Sequence, residues 1–264
     1  MTEINSKKRA LRANLLLLAI SRRWLGIAIT VISIYVTLPF VAPVLMHAGL
    51  RGPGGLIYTL YSPFCHQFAF RSFFLFGEQP TYPREITEIG AIPFEDAAIQ
   101  SPEFVEVYAR YAGIAPSAVT RADFDYFSPA LQFASREFPG DNRMGYKVTL
   151  CERDISIYLA MLLGAILFRL VRRRLRPVPL LIYAILGLGP IGIDGFSQLL
   201  GYPPFNLWPA RETLPAFRVV TGFLFGLMNV WLGFPYLEIS FRETQEQIED
   251  KLRRAGIHAG SGHN

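Results

Sequence analysis

"WLGIAITVISIYVTLPFVAPVLM", residues 24–46, holds no Asp, Glu, Lys or Arg. A bilayer's hydrocarbon core is about 30 Å thick and needs roughly 20 apolar residues in helix. This run is long enough. It is also too long for a secretory h-region and lacks a small-residue cleavage site, so it reads as an anchor. Three further runs qualify, at about residues 155–170, 178–200 and 219–240. Composition agrees. The 264-residue chain is 51% hydrophobic and 18% charged, below the roughly 25% charge of a soluble domain. The expected fold class is an all-α membrane protein with about four transmembrane helices.

Basic residues flank these runs. Lys7, Lys8, Arg9, Arg12, Arg22 and Arg23 precede the first. Arg169, Arg172, Arg173, Arg174 and Arg176 separate the second from the third, and Arg242, Lys251, Arg253 and Arg254 follow the fourth. With four spans all three clusters fall on one side, which the positive-inside rule makes the cytoplasm. Residues 77–150 carry eleven acids and six bases, net −5, so the remainder carries +5 − (−5) = +10. The expected organisation is a cytoplasmic segment 1–23, a transmembrane domain 24–240 with an extracytoplasmic insertion 77–150, and a cytoplasmic tail 241–264. Such a chain sits in the plasma membrane with both termini inside and the lipid bilayer as its first partner. A pI near 9.3 would suit nucleic acid, but the basic residues cluster beside apolar runs, so none is expected. "ANLLLLAIS" near the N-terminus reads as an amphipathic surface helix. Residues 241–255 read as a charged helix on the cytoplasmic face. "GIHAGSGHN", with His258 and His263, reads as disordered, and those histidines are not expected to hold metal.

The stretch Gly54–Phe76 is apolar but contains Pro63, Cys65, His66, Gln67 and Arg71. It reads as a broken, re-entrant or interfacial helix interrupted near Pro63. Irregular backbone at membrane depth survives only against protein or water. The insertion carries helix signals. Ser101 and Pro102 open one helix and Gly113 stops it; Ser128, Pro129 and Gly140 repeat the pattern. Thr120 and Asp123 resemble a capping box. Two or three short helices are expected, forming a small extracytoplasmic cap whose aromatic content argues against disorder.

Four polar groups recur near the outer ends of the spans: Cys65-His66-Gln67 with Arg71; Cys151, Arg153 and Asp154; Asp194 and Gln198; and Asn206 with Arg218. A carboxylate within a span costs roughly 2.5–3.5 kcal/mol on insertion scales and usually faces the bundle interior. An Asp194–Arg218 pair locking two helices is the plain reading. Gly192 and Gly195 would allow close helix approach. Cys65, His66, Cys151 and Asp154 admit three readings. The two cysteines can form a disulfide outside the cytoplasm. The four residues are all competent zinc ligands and suffice for a tetrahedron. They can also make a redox thiol or proton relay. Gln67, Arg71, Arg153, Asp194, Gln198 and Arg218 would then line a polar pocket beneath.

Four ordered boxes carry a resemblance: "CHQFAFRSFFLFG", "LCERDISIYLAMLLG", "IDGFSQLLG" and "FRVVTGFLFG". Together they resemble the bacterial and archaeal membrane proteins grouped as domain of unknown function 2085. The resemblance covers about residues 55–76 and 147–235. Many members have a second cysteine where this chain has Asp154, and their thiol set resembles a soft-metal site. The resemblance therefore raises the metal reading, zinc or copper, to parity with the disulfide; Asp154 makes the donor set harder. It implies no activity. Two function classes emerge. One is a membrane-embedded metal or redox site over a polar pocket. The other is a non-catalytic subunit or scaffold stapled by a Cys65–Cys151 disulfide, with a membrane protein or a second copy as partner. Four spans without an inverted repeat are few for a transporter. No phosphate loop, His-Glu-x-x-His box, serine elbow or dinucleotide fingerprint occurs.

Overall fold

The structure, a computed structural model, describes residues 2–87, 90–172, 174–202 and 204–257. His258 and His263 lie outside them. Four helices are long and apolar enough to cross a membrane. α1 (Thr2–His47) is a single helix of 46 residues. α6 (Glu152–Val171) has 20. The third crossing is composite: a turn α7 (Leu180–Ile182), a π-helical stretch Tyr183–Leu188, then α8 (Gly189–Gly201). Pro190 lacks the N–H that regular winding would use, and the ladder widens just before it. α9 (Pro215–Arg254) completes the set with 40 residues.

At about 1.5 Å per residue α6 is roughly 30 Å long, one bilayer core. It sets the frame for the others. Its arginine-rich end packs Phe168 against Trp24 of α1 and Phe234 of α9. Its other end brings Tyr158 to Tyr35 of α1. α1 and α9 both outrun this frame. The N-terminal part of α1 is not a separate surface helix but a continuation that pairs with the end of α9. Leu18 packs with Ile248 and Leu252 there. Arg22 reaches Glu249 at 2.9 Å, and Gln245 Nε2 donates to Ser21 O at 2.7 Å.

The backbones of α6 and α9 touch. A Cβ on Gly226 would stand 2.3 Å from the Ile157 carbonyl oxygen, and one on Gly222 would stand 2.7 Å from that of Arg153. This Gly-x-x-x-Gly pair is the close approach that Gly192 and Gly195 were expected to provide. Gly192 has nothing within 4 Å, and Gly195 meets only an arginine tip at 3.9 Å.

On the cap side α2 (Arg51–Tyr61) runs back along α1. Gly54 sits against Met46, and the Tyr61 hydroxyl donates to Tyr35 O at 2.7 Å. Eleven residues make about 16 Å, too short to cross. The helix breaks beside Pro63 as expected, but the chain beyond the break does not resume it. A 3-10 turn Ala69–Arg71 leads into β1 (Ser72–Leu75). β2 (Gly140–Asp141) and β3 (Gly145–Cys151) complete an antiparallel sheet in the order β1-β3-β2. The all-helical expectation therefore misses a small sheet. Gly140 is part of it and is not a helix stop. Its φ of +113° and its contact with Gly145 admit no side chain.

The cap helices are α3 (Phe94–Ile99), α4 (Pro102–Ala112) and α5 (Pro129–Glu137). Ser101 and Ser128 cap the last two, and Gly113 ends α4 in the left-handed region. Thr120 N–H donates to Asp123 at 2.7 Å, as the capping pattern predicts. Phe70, Phe94, Phe104, Phe124 and Phe138 form an edge-to-face chain with centroids 5.2–5.4 Å apart. Such a buried aromatic core gives the insertion a hydrophobic centre of its own.

Lys147 on β3 is fully buried. Its Nζ donates to the carbonyls of Gln67, Ser135 and Arg136 at 2.8, 2.8 and 2.6 Å. It thereby ties the Cys-His-Gln loop to the end of α5. Burial pushes its amine down to about 7, against the opposing pull of Cys65 and Glu137.

Two outcomes are expected. Gly226→Ala should destabilise the protein by about 1–3 kcal/mol through forced separation of α6 and α9. Gly233→Ala, at a position with nothing within 4 Å, should be neutral or better. Thermal unfolding in detergent compares them, and equal melting temperatures would contradict the packing. The folded state also holds the Lys147 proton less tightly than the unfolded chain does, whose lysine keeps its ordinary value of 10.5. This group therefore makes folding more favourable as pH climbs from about 7 towards 10.5. Lys147→Met should flatten that part of the pH–stability curve; unchanged slope in denaturant titrations would refute it.

Candidate functional site

Cys65 lies just past the break after α2 and is buried, at 8% exposure. Its sulfur accepts two backbone N–H groups, from Gln67 at 3.4 Å and from Cys151 at 3.2 Å. Gln67 itself has a φ of +56°, a left-handed conformation that Asn, Asp and Gly adopt more readily. Gln67 Nε2 donates to Tyr58 O at 2.9 Å, which holds the turn in place.

Cys151 is both the last residue of β3 and the N-cap of α6. Register pairs it with Ser72, so the sheet fixes its distance from the Cys-His-Gln loop. Asp154 lies in the first turn of α6, where the helix dipole favours a carboxylate. The Cys151 thiol donates to Asp154 Oδ2 at 3.2 Å. One ligand atom each from Cys65, Cys151 and Asp154 lie within 4.8 Å of one another. Both cysteines are free. The Cys151 thiol is pushed well up, first by its hydrogen bond with Cys65 and then by burial. His66 is exposed and stands outside this triplet, its ring 5.4 Å from that of Phe68.

A cavity of about 740 Å³ opens beside the triplet. Cys65, His66, Gln67 and Arg71 line it from the loop, and Cys151, Arg153 and Asp154 from the start of α6. Gln198 of α8 and Tyr202 just past its end close it, with Arg218 of α9. Asp194 lies behind that wall.

The charges under the cavity pair differently from the expected Asp194–Arg218 couple. Asp194 receives Arg153, Thr213 and, at 2.8 Å, Arg211. Gln198 donates to Thr213 in the same cluster. Arg218 instead meets Glu212, and Glu152 at 3.3 Å. Arg71 grips Glu212 with two nitrogens, at 2.5 and 3.2 Å, and the Tyr202 hydroxyl donates to it at 2.8 Å. Burial alone would push the Glu212 carboxyl up, but Arg71 and Arg218 hold it below its ordinary value. Arg218 cannot serve Asp194 because two carboxylates already enclose it. Sequence reasoning missed Glu152, Arg211, Glu212 and Thr213. The available signal was "ARET", residues 210–213, a charged stretch directly ahead of a span that itself carries an arginine. Arg153 Nε is buried without a hydrogen-bond partner among the described residues.

Comparison with known proteins bears on the second half of this site. Residues 143–232 match the family described as Predicted membrane protein (DUF2085). That stretch holds Cys151, Asp154, Asp194, Glu212 and Arg218 but not the Cys-His-Gln box. A protein of Methanocaldococcus jannaschii, called Uncharacterized protein MJ1492, is 29% identical over 101 residues. The alignment covers 38% of this chain and spans 60% of the relative's length. No solved structure matches. The chain is thus a membrane protein of four candidate spans that carries a Cys/Asp cluster at one end of the bundle.

A double-mutant cycle checks the pairing. Asp194→Asn and Arg153→Gln should each cost about 3 kcal/mol, as for breaking a buried pair, and should be strongly non-additive. Asp194→Asn with Arg218→Gln should couple far more weakly. Stronger coupling to Arg218 in unfolding measurements would reinstate the direct pair.

Proposed function

We propose that Cys65, Cys151 and Asp154 hold a metal ion, zinc before copper, at the mouth of the cap-side cavity. The supporting observation is the convergence of two sulfurs and a carboxylate within 4.8 Å. Zinc favours such borderline donor sets; the carboxylate makes the site harder than copper(I) prefers. Three protein ligands leave a fourth position, which in catalytic zinc sites takes water or substrate. The cavity beside the triplet would admit either, and His66 lines it but would have to move to serve as the fourth ligand. Binding must displace the Cys151 proton, so affinity should rise with pH. The positive flanks would put this end of the bundle outside and both termini in the cytoplasm.

A second reading rests on the same proximity. Cys65 and Cys151 can oxidise to a disulfide that staples the loop to the start of α6. The protein would then be a non-catalytic subunit whose cap docks a partner.

Protein purified with zinc supplied, under reducing conditions, should carry about one equivalent of metal by elemental analysis. Cys65→Ser and Cys151→Ser should abolish it, and Asp154→Ala should weaken it. His66→Ala should leave stoichiometry intact if water takes the fourth position. Wild-type protein that holds no metal and that, purified in parallel without reductant, is lighter by two hydrogens would replace the metal reading with the staple.

A further inference from the structure

At the opposite, arginine-rich end, α1 and α6 enclose a groove of about 530 Å³. Arg23, Arg169 and Arg172 form its head, and Leu25, Ile27 and Val31 of α1 form part of its wall. We propose that this groove binds one anionic phospholipid. The phosphate would lie between the guanidiniums, and the first acyl methylenes along α1.

Three features argue for it. The first is charge. Arg23 and Arg169 are exposed, and neither has a carboxylate partner among the described residues. Arg172 is held ready: its Nε donates to Glu238 at 2.5 Å, and its guanidinium carbon stands 5.8 Å from the Trp24 ring. Glu238 does not cancel this charge, because Arg242 also binds it at 3.0 Å. The second is position. The arginines stand where the apolar stretches of α1 and α6 end, the level of lipid headgroups. From Leu25 to Val31 the helix climbs about 9 Å into the apolar layer. Ile27 and Val31 are 45% and 59% exposed along that climb. A free phosphate would gain nothing from such a wall; a lipid uses both parts. The third is space. Gly26 lies in the groove with nothing within 4 Å of where its Cβ would be, so the trough stays open.

Native mass spectrometry of the full chain, released from micelles containing phosphatidylglycerol or phosphatidylcholine, tests this. Wild type should retain one phosphatidylglycerol in preference to phosphatidylcholine. Arg23→Gln/Arg169→Gln should lower that retention about thirtyfold, given the usual contribution of each basic residue at an anionic surface. Gly26→Leu should lower it too, with all charges intact and an unchanged melting temperature. Arg51→Gln, a basic residue at the cap end, should have no effect. Equal retention of the two lipids by wild type would overturn the inference. So would a phosphatidylglycerol preference that survives both groove variants. Displacement of the lipid by millimolar inorganic phosphate would also overturn it, since it would reduce the site to one for a free anion.

Discussion

Glu212 is the point through which the cap-side end of the bundle is joined. Its carboxylate accepts from Arg71 of the turn before β1, Arg218 of α9 and Tyr202 at the end of α8. The turn at Arg71, 141 residues away in sequence, thus meets the α8–α9 connection on one side chain with almost no solvent contact. A lone buried carboxylate would be expelled or protonated. Enclosed by two guanidiniums and a hydroxyl it stays ionised, and it in turn makes Arg71 and Arg218 tolerable at the cavity wall. Glu152 on the far side of Arg218 extends the chain of charge to the start of α6. Elements that must be positioned to within an ångström for the sulfurs to meet are thus held by charge-assisted bonds whose geometry is strict.

The insertion serves the same end by different means. Its aromatic core lets it fold as a body, and Lys147 and Arg84 stitch that body together from inside. Arg84 binds Glu95 at 2.8 Å and the carbonyl of Asp125 at 2.8 Å. Arg71 faces Phe68, Phe70 and Phe127 at 5.5–5.7 Å, so the guanidinium that grips Glu212 is also packed by the cap. The cap thus lines the cavity through Phe127, Pro129 and Gln132, opposite the wall that carries Arg153 and Arg218.

The sequence announced the spans because apolar runs of bilayer length have few alternatives. It announced the helix caps of the insertion because Ser-Pro and Thr-x-x-Asp patterns act locally. It also grouped Cys65, His66, Cys151 and Asp154, which proximity to span ends made conspicuous, and only His66 stands outside the cluster that forms. The sheet stayed hidden, since β1 and β3 lie 70 residues apart in an aromatic-rich context and pair only through tertiary contact. The partner of Asp194 stayed hidden for a related reason. Opposite charges at similar depth can be matched in several ways, and the choice fell to Glu152 and Glu212, acids in segments that had no apolar pattern to mark them. The long single helices α1 and α9 joined stretches that composition had separated, because a helix keeps its winding when its surroundings change from lipid to water.

β3 passes into α6 with no residue between them, and Cys151 belongs to both. The Cys151 N–H also donates to Cys65 Sγ, and Lys147 of the same strand holds the Gln67 carbonyl, so the strand that opens α6 also positions the sulfur of the loop. One seven-residue strand thus sets both where the second span begins and how far apart the two thiols stand.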